Sequence, residues 1–311
     1  MLERALELAE RGRGTTHPNP VVGAVVVRDG EVVAEGWHER KGGPHAEAVA
    51  LGAAGDRARG GTLYVTLEPC SHHGRTPPCV EAVLDAGVSH VVAGALDPHP
   101  EHGGGLDRLR AAGVQVELVD SFEARAQNEA WRTWVSKGRP FVTYKAAVTL
   151  DGRMAVPGER WVSGEQSRRL VHELRAASDA VAIGMGTVRA DNPRLDARDV
   201  EVVRQPRRLA FGQGPLPDGS ELELRTGALE DELEHLAAEG VQSLLLEGGP
   251  TLASAFFAAD LVDKVMLFVA PKLSGEGPGL VGSLPGAIPL TRLTAEQVGE
   301  DVLLTAYVHE P

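Results

Sequence analysis

The sequence predicts two successive α/β domains, and three observations carry that expectation. At 311 residues the chain exceeds the usual span of one domain. Helix-period and strand-period segments alternate along nearly its whole length. The alternation is broken once, by a helical stretch that Gly138 and Pro140 close before a new β-rich series begins. Residues 1–120 are therefore expected as a three-layer α/β domain, 121–140 as a connecting helix and linker, and 141–311 as a second, sheet-centred α/β domain.

The elements follow in order. MLERALELAERG places Leu2, Leu6 and Ala9 on one helical face. VVGAVVVRDGEVVAEGWHE reads as a hairpin whose Val-rich runs meet across Asp29-Gly30. PHAEAVALGAAG is a helix, GTLYVTLEP a strand, PCVEAVLDAG a helix and SHVVAGALDP a strand; GLDRLRAAG and VQVELVD add one more of each. SFEARAQNEAWRTWVSKGRP then forms the connecting helix. In the second series FVTYKAAVTLDGR opens as a strand, and SGEQSRRLVHELRAA is a helix in which Ser163 and Gln166 form a capping box. DAVAIG, VQSLLLEGG, DKVMLFVAP and DVLLTAYVHE are strands, while GQGPLPDGS is a turn-rich surface loop. No internal repeat appears.

Composition limits the function. A hydrophobic content of 42% supports a sizeable core, and a formal net charge of −13 without any Lys/Arg block disfavours nucleic-acid and acidic-membrane partners. The charged N-terminus does not read as a signal peptide and no apolar run is long enough to span a membrane. A cytoplasmic enzyme acting on a small molecule is the expectation.

The chain's two cysteines both lie in EPCSHHGRTPPC, with eight residues between Cys70 and Cys79. One disulfide is conceivable, but a reducing compartment and the neighbouring His-rich sequence favour metal ligation. Upstream, PHAE puts His45 and Glu47 at the start of a helix. One nitrogen and two sulfurs make three Zn2+ ligands, leaving a fourth position for an acidified water. Glu47, too near His45 in sequence to join the same tetrahedron, is placed to carry that water's proton to a leaving amine. Cys79 follows two prolines and opens a helix, where the dipole favours a thiolate. H-x-E followed by P-C-x-x-C marks zinc nucleobase deaminases, whereas the spacing here is C-x8-C. Taken singly, His45 is an ordinary histidine and the cysteine pair a weak zinc signal; with Glu47 they become a catalytic set.

In the second half, Gly184-x-Gly186 follows an apolar strand, but Arg189 stands where a third glycine would complete a dinucleotide fingerprint. LLLEGGPTLASAFF is more informative. A buried strand ends in Gly248-Gly249, and Pro250 suits a first helical turn, so free backbone amides there either hold a pyrophosphate or simply make a tight turn.

TTHPNPVVGA, HAE and VTLEPCSHHGRTPPC together closely resemble the deaminase half of the bifunctional riboflavin-biosynthesis deaminase-reductases, and the long cysteine spacing is that family's form. VTYKAAVTLDGR, RWVSG, GMGTVRADNP and EGGPTL occur in the order of the same family's reductase half, so the resemblance spans nearly the whole chain. It implies a cytidine-deaminase-like α/β/α domain followed by a dihydrofolate-reductase-like α/β domain. The implied substrate is a phosphoribosylated diaminopyrimidine, hydrolytically deaminated and then reduced with NADPH from ribosyl to ribityl. A homodimer built through the reductase domain is also implied.

Residue by residue, the resemblance puts Asn19 at the bound nucleotide, with His72, His73 and Arg75 along its approach; as residues alone, these histidines are equally loop residues facing solvent. It sets Lys145, Val148 and Trp161 around nicotinamide and substrate, Thr187 and Asp191 at the cofactor, and Gly249, Pro250 and Thr251 at its phosphates. Glu159, Arg175, Leu195, Arg198 and Glu247 would face the substrate. The chemistry of the side chains agrees in part. Arg175 and Arg198 can clamp a phosphate bidentately, Glu247 can accept from pyrimidine donors, and Lys145 with Asp191 can handle a proton near the opened ribose. One departure stands out: RRLAFGQGPLPDGSELELR is compressed relative to the family, on the adenosine side, which bears on the choice between NADPH and NADH. Two rival readings are a nucleic-acid base deaminase with an accessory domain and a deaminase whose second domain binds a nucleotide without turnover. The first calls for a basic groove and short C-x2-C spacing, both missing here; cofactor binding distinguishes the second.

Overall fold

The computed structural model describes residues 1–73, 77–99 and 102–311. Its contacts divide the chain into Met1–Lys137, with Pro311, and Gly138–Glu310.

In the first unit, α1 (Leu2–Glu10) precedes the hairpin of β1 (Gly23–Arg28) and β2 (Glu31–Trp37). Asp29 and Gly30 turn it with φ of 51° and 85°, the pair of left-handed residues that a two-residue hairpin loop favours. Then follow α2 (Ala46–Ala54), β3 (Thr62–Val65), α3 (Cys79–Asp85), β4 (His90–Ala93), α4 (Gly105–Ala111) and β5 (Gln115–Leu118). The sheet runs β2-β1-β3-β4-β5, antiparallel around β1 and parallel from β3 to β5. Alternate residues of β1 serve opposite faces. Val25 packs with Ala5 and Leu8 of α1, whereas Ala24 and Val26 join Ala50 of α2 and Val80 of α3. Helices thus cover both faces, giving the three layers that the alternation predicts.

The stretch read as one connecting helix is two, α5 (Phe122–Gln127) and α6 (Glu129–Lys137), broken at Asn128 with φ −119° and ψ 27°. Buried Asn128 accepts from the Val21 amide and donates to the Val21 carbonyl, both at 2.9 Å. Trp131 of α6 lies in the same core as Leu63 and Val65. Most of the expected 121–140 connection is therefore packed into the first unit, because its apolar residues bury against that sheet.

The second unit runs β6 (Phe141–Thr149), α7 (Glu165–Ala177), β7 (Ala180–Gly184), α8 (Met185–Asp191), β8 (Arg207–Phe211) and β9 (Glu223–Arg225). It continues through α9 (Leu229–Ala238), β10 (Ser243–Leu246), α10 (Pro250–Ala258), β11 (Lys264–Ala270), β12 (Thr291–Val298) and β13 (Asp301–Tyr307). The eight strands order β12-β13-β11-β6-β10-β7-β8-β9, parallel from β11 to β9, with β13 and β12 added antiparallel at one edge. Ala180 and Ala182 face Leu233, Leu236 and Phe256; Val181 and Ile183 face Val188 and Leu195. Both faces of the sheet are covered, as parallel strands require. Near the start of β6, Arg139 forms a bidentate pair with fully buried Asp263 at 2.6 and 2.8 Å, and Asp263 also accepts the Val142 amide at 2.9 Å.

One expectation fails and one strand goes unforeseen, each for an identifiable reason. The capping box of Ser163 and Gln166 does not form: α7 starts at Glu165 behind Gly164, and no side chain of its own caps it. Strand β12 is exposed along almost its whole length, so its sequence TRLTAEQV shows no buried alternation to read.

Candidate active sites

Gly36 of β2 lets α2 approach closely, since a Cβ there would lie 2.6 Å from the Ala50 nitrogen and 2.7 Å from the Ala46 oxygen. This brings His45, the residue preceding α2, and Glu47, in its first turn, against the sheet. Cys70 follows β3, and Cys79 is the first residue of α3. His45 Nδ1 lies 3.2 Å from Cys79 Sγ and 3.6 Å from Cys70 Sγ, and the Cys79 amide donates to Cys70 Sγ at 3.3 Å. The three donor atoms all fall within 4.8 Å of one another, and both thiols are free. A tetrahedral zinc with the usual bond lengths has nitrogen–sulfur edges of roughly 3.5 Å. The observed edges fall on either side of that value, so the donor set fits zinc.

The electrostatics favour a cation. A hydrogen bond from the Cys79 thiol, followed by bonds from His45 and the Cys79 amide, pulls Cys70 down to about 4. The same bond to the neighbouring sulfur, then burial, pushes Cys79 up. Hydrogen bonding to Cys70 raises His45. Glu47 is 3% exposed, and burial lifts its carboxyl to about 7.

Asn19 reaches this cluster through a residue that carries no sequence pattern. Its Nδ2 lies 3.4 Å from His38 Nε2, the His38 ring meets His45 edge-on at 5.5 Å, and His38 Nδ1 lies 2.9 Å from the Pro44 carbonyl. His72 stacks on His102, which stacks on His99, with 3.7 Å between successive ring centroids. His73 is exposed and lies 3.4 Å from Glu81. Arg75 lies outside the described residues.

In the second unit a cleft of about 1010 Å³ is lined by Lys145, Trp161, Arg175, Arg198 and Glu247, together with Arg168, His172 and the turn after β12. Glu247 directly follows β10, and Lys145 lies on β6 beside it. Arg175 donates to both Glu247 oxygens at 2.6 and 3.1 Å, and Lys145 Nζ to one at 3.2 Å. Burial opposes ionisation of Glu247, but Lys145 and Arg175 outweigh it and hold the carboxyl at about 2. Arg198 pairs with Asp196 at 2.8 Å. Half-exposed Trp161 has the guanidinium groups of Arg160 and Arg168 at 5.0 and 5.3 Å from its ring centroid.

Thr187 and Gly249 meet at the C-terminal ends of β7 and β10. A Cβ on Gly249 would find only Thr187 Oγ1, at 3.9 Å, and one on Gly186 would find nothing within 4 Å. Gly249 caps α10 and Pro250 is its first residue. The amides of Thr251 and Leu252 have no intrahelical acceptor, so this open backbone fits a dinucleotide's phosphates.

Other expected positions differ. The Val148 side chain is buried in β6 and Leu195 is packed in the core with Val181 and Ile183, so neither side chain lines the cleft. Glu159 pairs with Lys272, and Asp191 is exposed at the end of α8; both lie off the cleft wall. The carboxylate that meets Lys145 is Glu247 rather than Asp191. The phosphate clamp expected of Arg175 and Arg198 is already engaged by Glu247 and Asp196.

A metal-type donor cluster in one unit and a dinucleotide-type crevice in the other define a deaminase joined to a reductase. Residues 1–95 match the cytidine and deoxycytidylate deaminase zinc-binding region, and residues 140–304 match the RibD C-terminal domain. The chain belongs to the RibD family, the bifunctional deaminase-reductases of riboflavin biosynthesis. It is 37% identical to the riboflavin biosynthesis protein RibD of Aquifex aeolicus, over 97% of this chain and 96% of the relative. With the RibD of Escherichia coli it shares 41% identity over 92% and 90%. The structure of Acinetobacter baumannii RibD matches with a TM-score of 0.85 at 34% identity, covering 98% and 97%. A Thermotoga maritima protein, described as a diaminohydroxyphosphoribosylaminopyrimidine deaminase and 5-amino-6-(5-phosphoribosylamino)uracil reductase, matches at 0.84 and 36%, over 98% and 97%. The Aquifex alignment runs over 342 positions, longer than this 311-residue chain, so that relative carries residues this chain lacks. The nucleic-acid deaminase alternative is not favoured. Among the described residues, no helix is long and apolar enough to cross a membrane.

Proposed function

We propose that the first unit hydrolyses an exocyclic amine of 2,5-diamino-6-(5-phosphoribosylamino)pyrimidin-4(3H)-one, and that the second reduces the product's ribosyl group to ribityl with NADPH. The observation that carries this reading is the convergence of His45, Cys70 and Cys79 beside buried Glu47. Zinc held by those three residues would acidify a water near neutral pH. Glu47, kept basic by burial, takes a proton from the attacking water and returns it to the departing ammonia. Cys70 supplies the anionic sulfur, and His38 packs edge-on against His45 to orient its ring. Asn19 meets the nucleotide, with His72 and His73 on its approach.

NADPH supplies the hydride for the second step. The α10 amides at Thr251 and Leu252, with Gly249, Pro250 and Thr187, receive its phosphates, and Trp161 flanks the nicotinamide. Backbone atoms at Val148 approach the same ring, and Asp191 meets the cofactor from the end of α8. Lys145, fixed by Glu247, delivers a proton to the opened sugar, while Arg175 holds Glu247 ionised and in place. Arg198 binds the substrate phosphate by exchanging Asp196 for it. The protein works in the cytoplasm as a homodimer built through the second unit.

The test is mass spectrometry of the diaminopyrimidine nucleotide after incubation with zinc-loaded protein. Conversion of amine to carbonyl without NADPH, and gain of two hydrogens only with it, is the expected result. Deamination without reduction refutes the second-unit reading, and no conversion refutes the substrate.

A further inference from the structure

The helix that carries the cleft residues Arg168, His172 and Arg175 has no side-chain cap of its own. Its cap comes from 137 residues downstream. Asp301, the first residue of β13, is 1% exposed, and its Oδ2 accepts the Gly164 amide at 2.8 Å and the Ser167 hydroxyl at 2.6 Å. Gly164 is the N-cap of α7, and Ser167 is fully buried in its first turn. A carboxylate accepting at this end satisfies orphan donors and sits at the positive end of the helix dipole.

The adjoining turn joins the same arrangement. Gly299 and Glu300, between β12 and β13, line the cleft together with Gly164, Glu165 and Gln166. Gly299 has φ 65°, and a Cβ there would stand 3.0 Å from Gln166 Oε1, so turn and helix start are in close contact. β13 pairs with β11, and β11 pairs with β6 in a register that sets Met266 beside Lys145. Asp301 therefore ties the strand layer bearing Lys145 to the helix bearing Arg175, and Glu247 meets both at the far end.

We propose that Asp301 is a positioning residue of the reductase cleft: by capping α7 through Gly164 and Ser167, it sets the placement of Arg168, His172 and Arg175 that substrate binding requires. This rests on the reading of the cleft as the reductase site. Removal of the cap loosens the helix start and weakens substrate binding more than it slows hydride transfer.

The test uses the full chain with Asp301→Ala, Asp301→Asn and Ser167→Ala, assaying NADPH-dependent reduction of the deaminated nucleotide and, separately, deamination. Asp301→Ala is expected to raise the reductase KM by about tenfold or more while kcat changes by less than about threefold, with deamination unaltered. Asp301→Asn, whose amide oxygen can accept both bonds, should restore KM to within about threefold, and Ser167→Ala should fall between. Hydrogen exchange at residues 165–168 should quicken in Asp301→Ala and return toward the unaltered rate in Asp301→Asn. Unchanged KM and exchange in Asp301→Ala overturn the proposal, as does an Asn variant no better than Ala. If the unaltered chain does not reduce the nucleotide at all, the reading of the cleft falls first, and the proposal with it.

Discussion

The two sites handle charge in opposite ways. In the first unit His45, Cys70 and Cys79 turn donor atoms toward one point, Cys70 is held as an anion, and no lysine or arginine is among the three. In the second, Glu247 is already balanced by Lys145 and Arg175 within the protein. The first set leaves its donor atoms for a cation to complete; the second carries its own cations, one more than its carboxylate, and its charges hold geometry. The same physics explains the two carboxyl groups. Burial lifts Glu47 to about 7, whereas two cations overcome burial and hold Glu247 at about 2.

The sharpest way to break the comparison is to neutralise each carboxyl in turn. Glu47→Gln removes the proton carrier but none of the three metal donors. Deamination should fall by roughly 10²- to 10⁴-fold while zinc content, by elemental analysis, stays the same and reduction of deaminated substrate is unimpaired. Loss of zinc together with activity would show that Glu47 belongs to the metal's ligand set instead.

Glu247→Gln leaves Arg175 and Lys145 without their buried carboxylate. Unfolding of the second unit should become easier by about 3–5 kcal/mol in denaturant titrations, with deamination unaffected. Because the folded carboxyl titrates below its unfolded value, its stabilisation is complete above pH ~4.5 and is lost as pH falls toward about 2. At about 1.4 kcal/mol per pH unit this amounts to on the order of 3 kcal/mol, and the Gln variant should lose that part of the acid dependence. Equal acid sensitivity in both proteins would place the titrating group elsewhere.

The smallest effect concerns the first unit's scaffold. Asn128→Ala strips the buried Val21 amide and carbonyl of their partners and should destabilise that unit by about 1–3 kcal/mol, leaving the second unit's transition in place. Loss of stability in both units would show that the break between α5 and α6 supports more than the Val21 segment.

Much of this was legible in the sequence where chemistry and period coincide. Asp29-Gly30 turns its hairpin, Pro250 opens α10 behind Gly249, and the His45, Cys70 and Cys79 donors converge. Residues without a local pattern were not legible. His38 and the column of His72, His102 and His99 are brought together from separate loops. The resemblance set Leu195 facing the substrate, whereas its side chain packs in the core with Val181 and Ile183.

By itself the sequence determined two α/β domains, a zinc-type donor set and a glycine-bearing helix start, because periodicity, turn chemistry and ligand types are local properties. Only the tertiary structure decided that Glu247 rather than Asp191 meets Lys145, that Asp301 rather than Ser163 caps α7, and that α5 and α6 belong to the first core. Those choices depend on which distant groups reach hydrogen-bonding or packing distance, and the linear order of the chain does not record that.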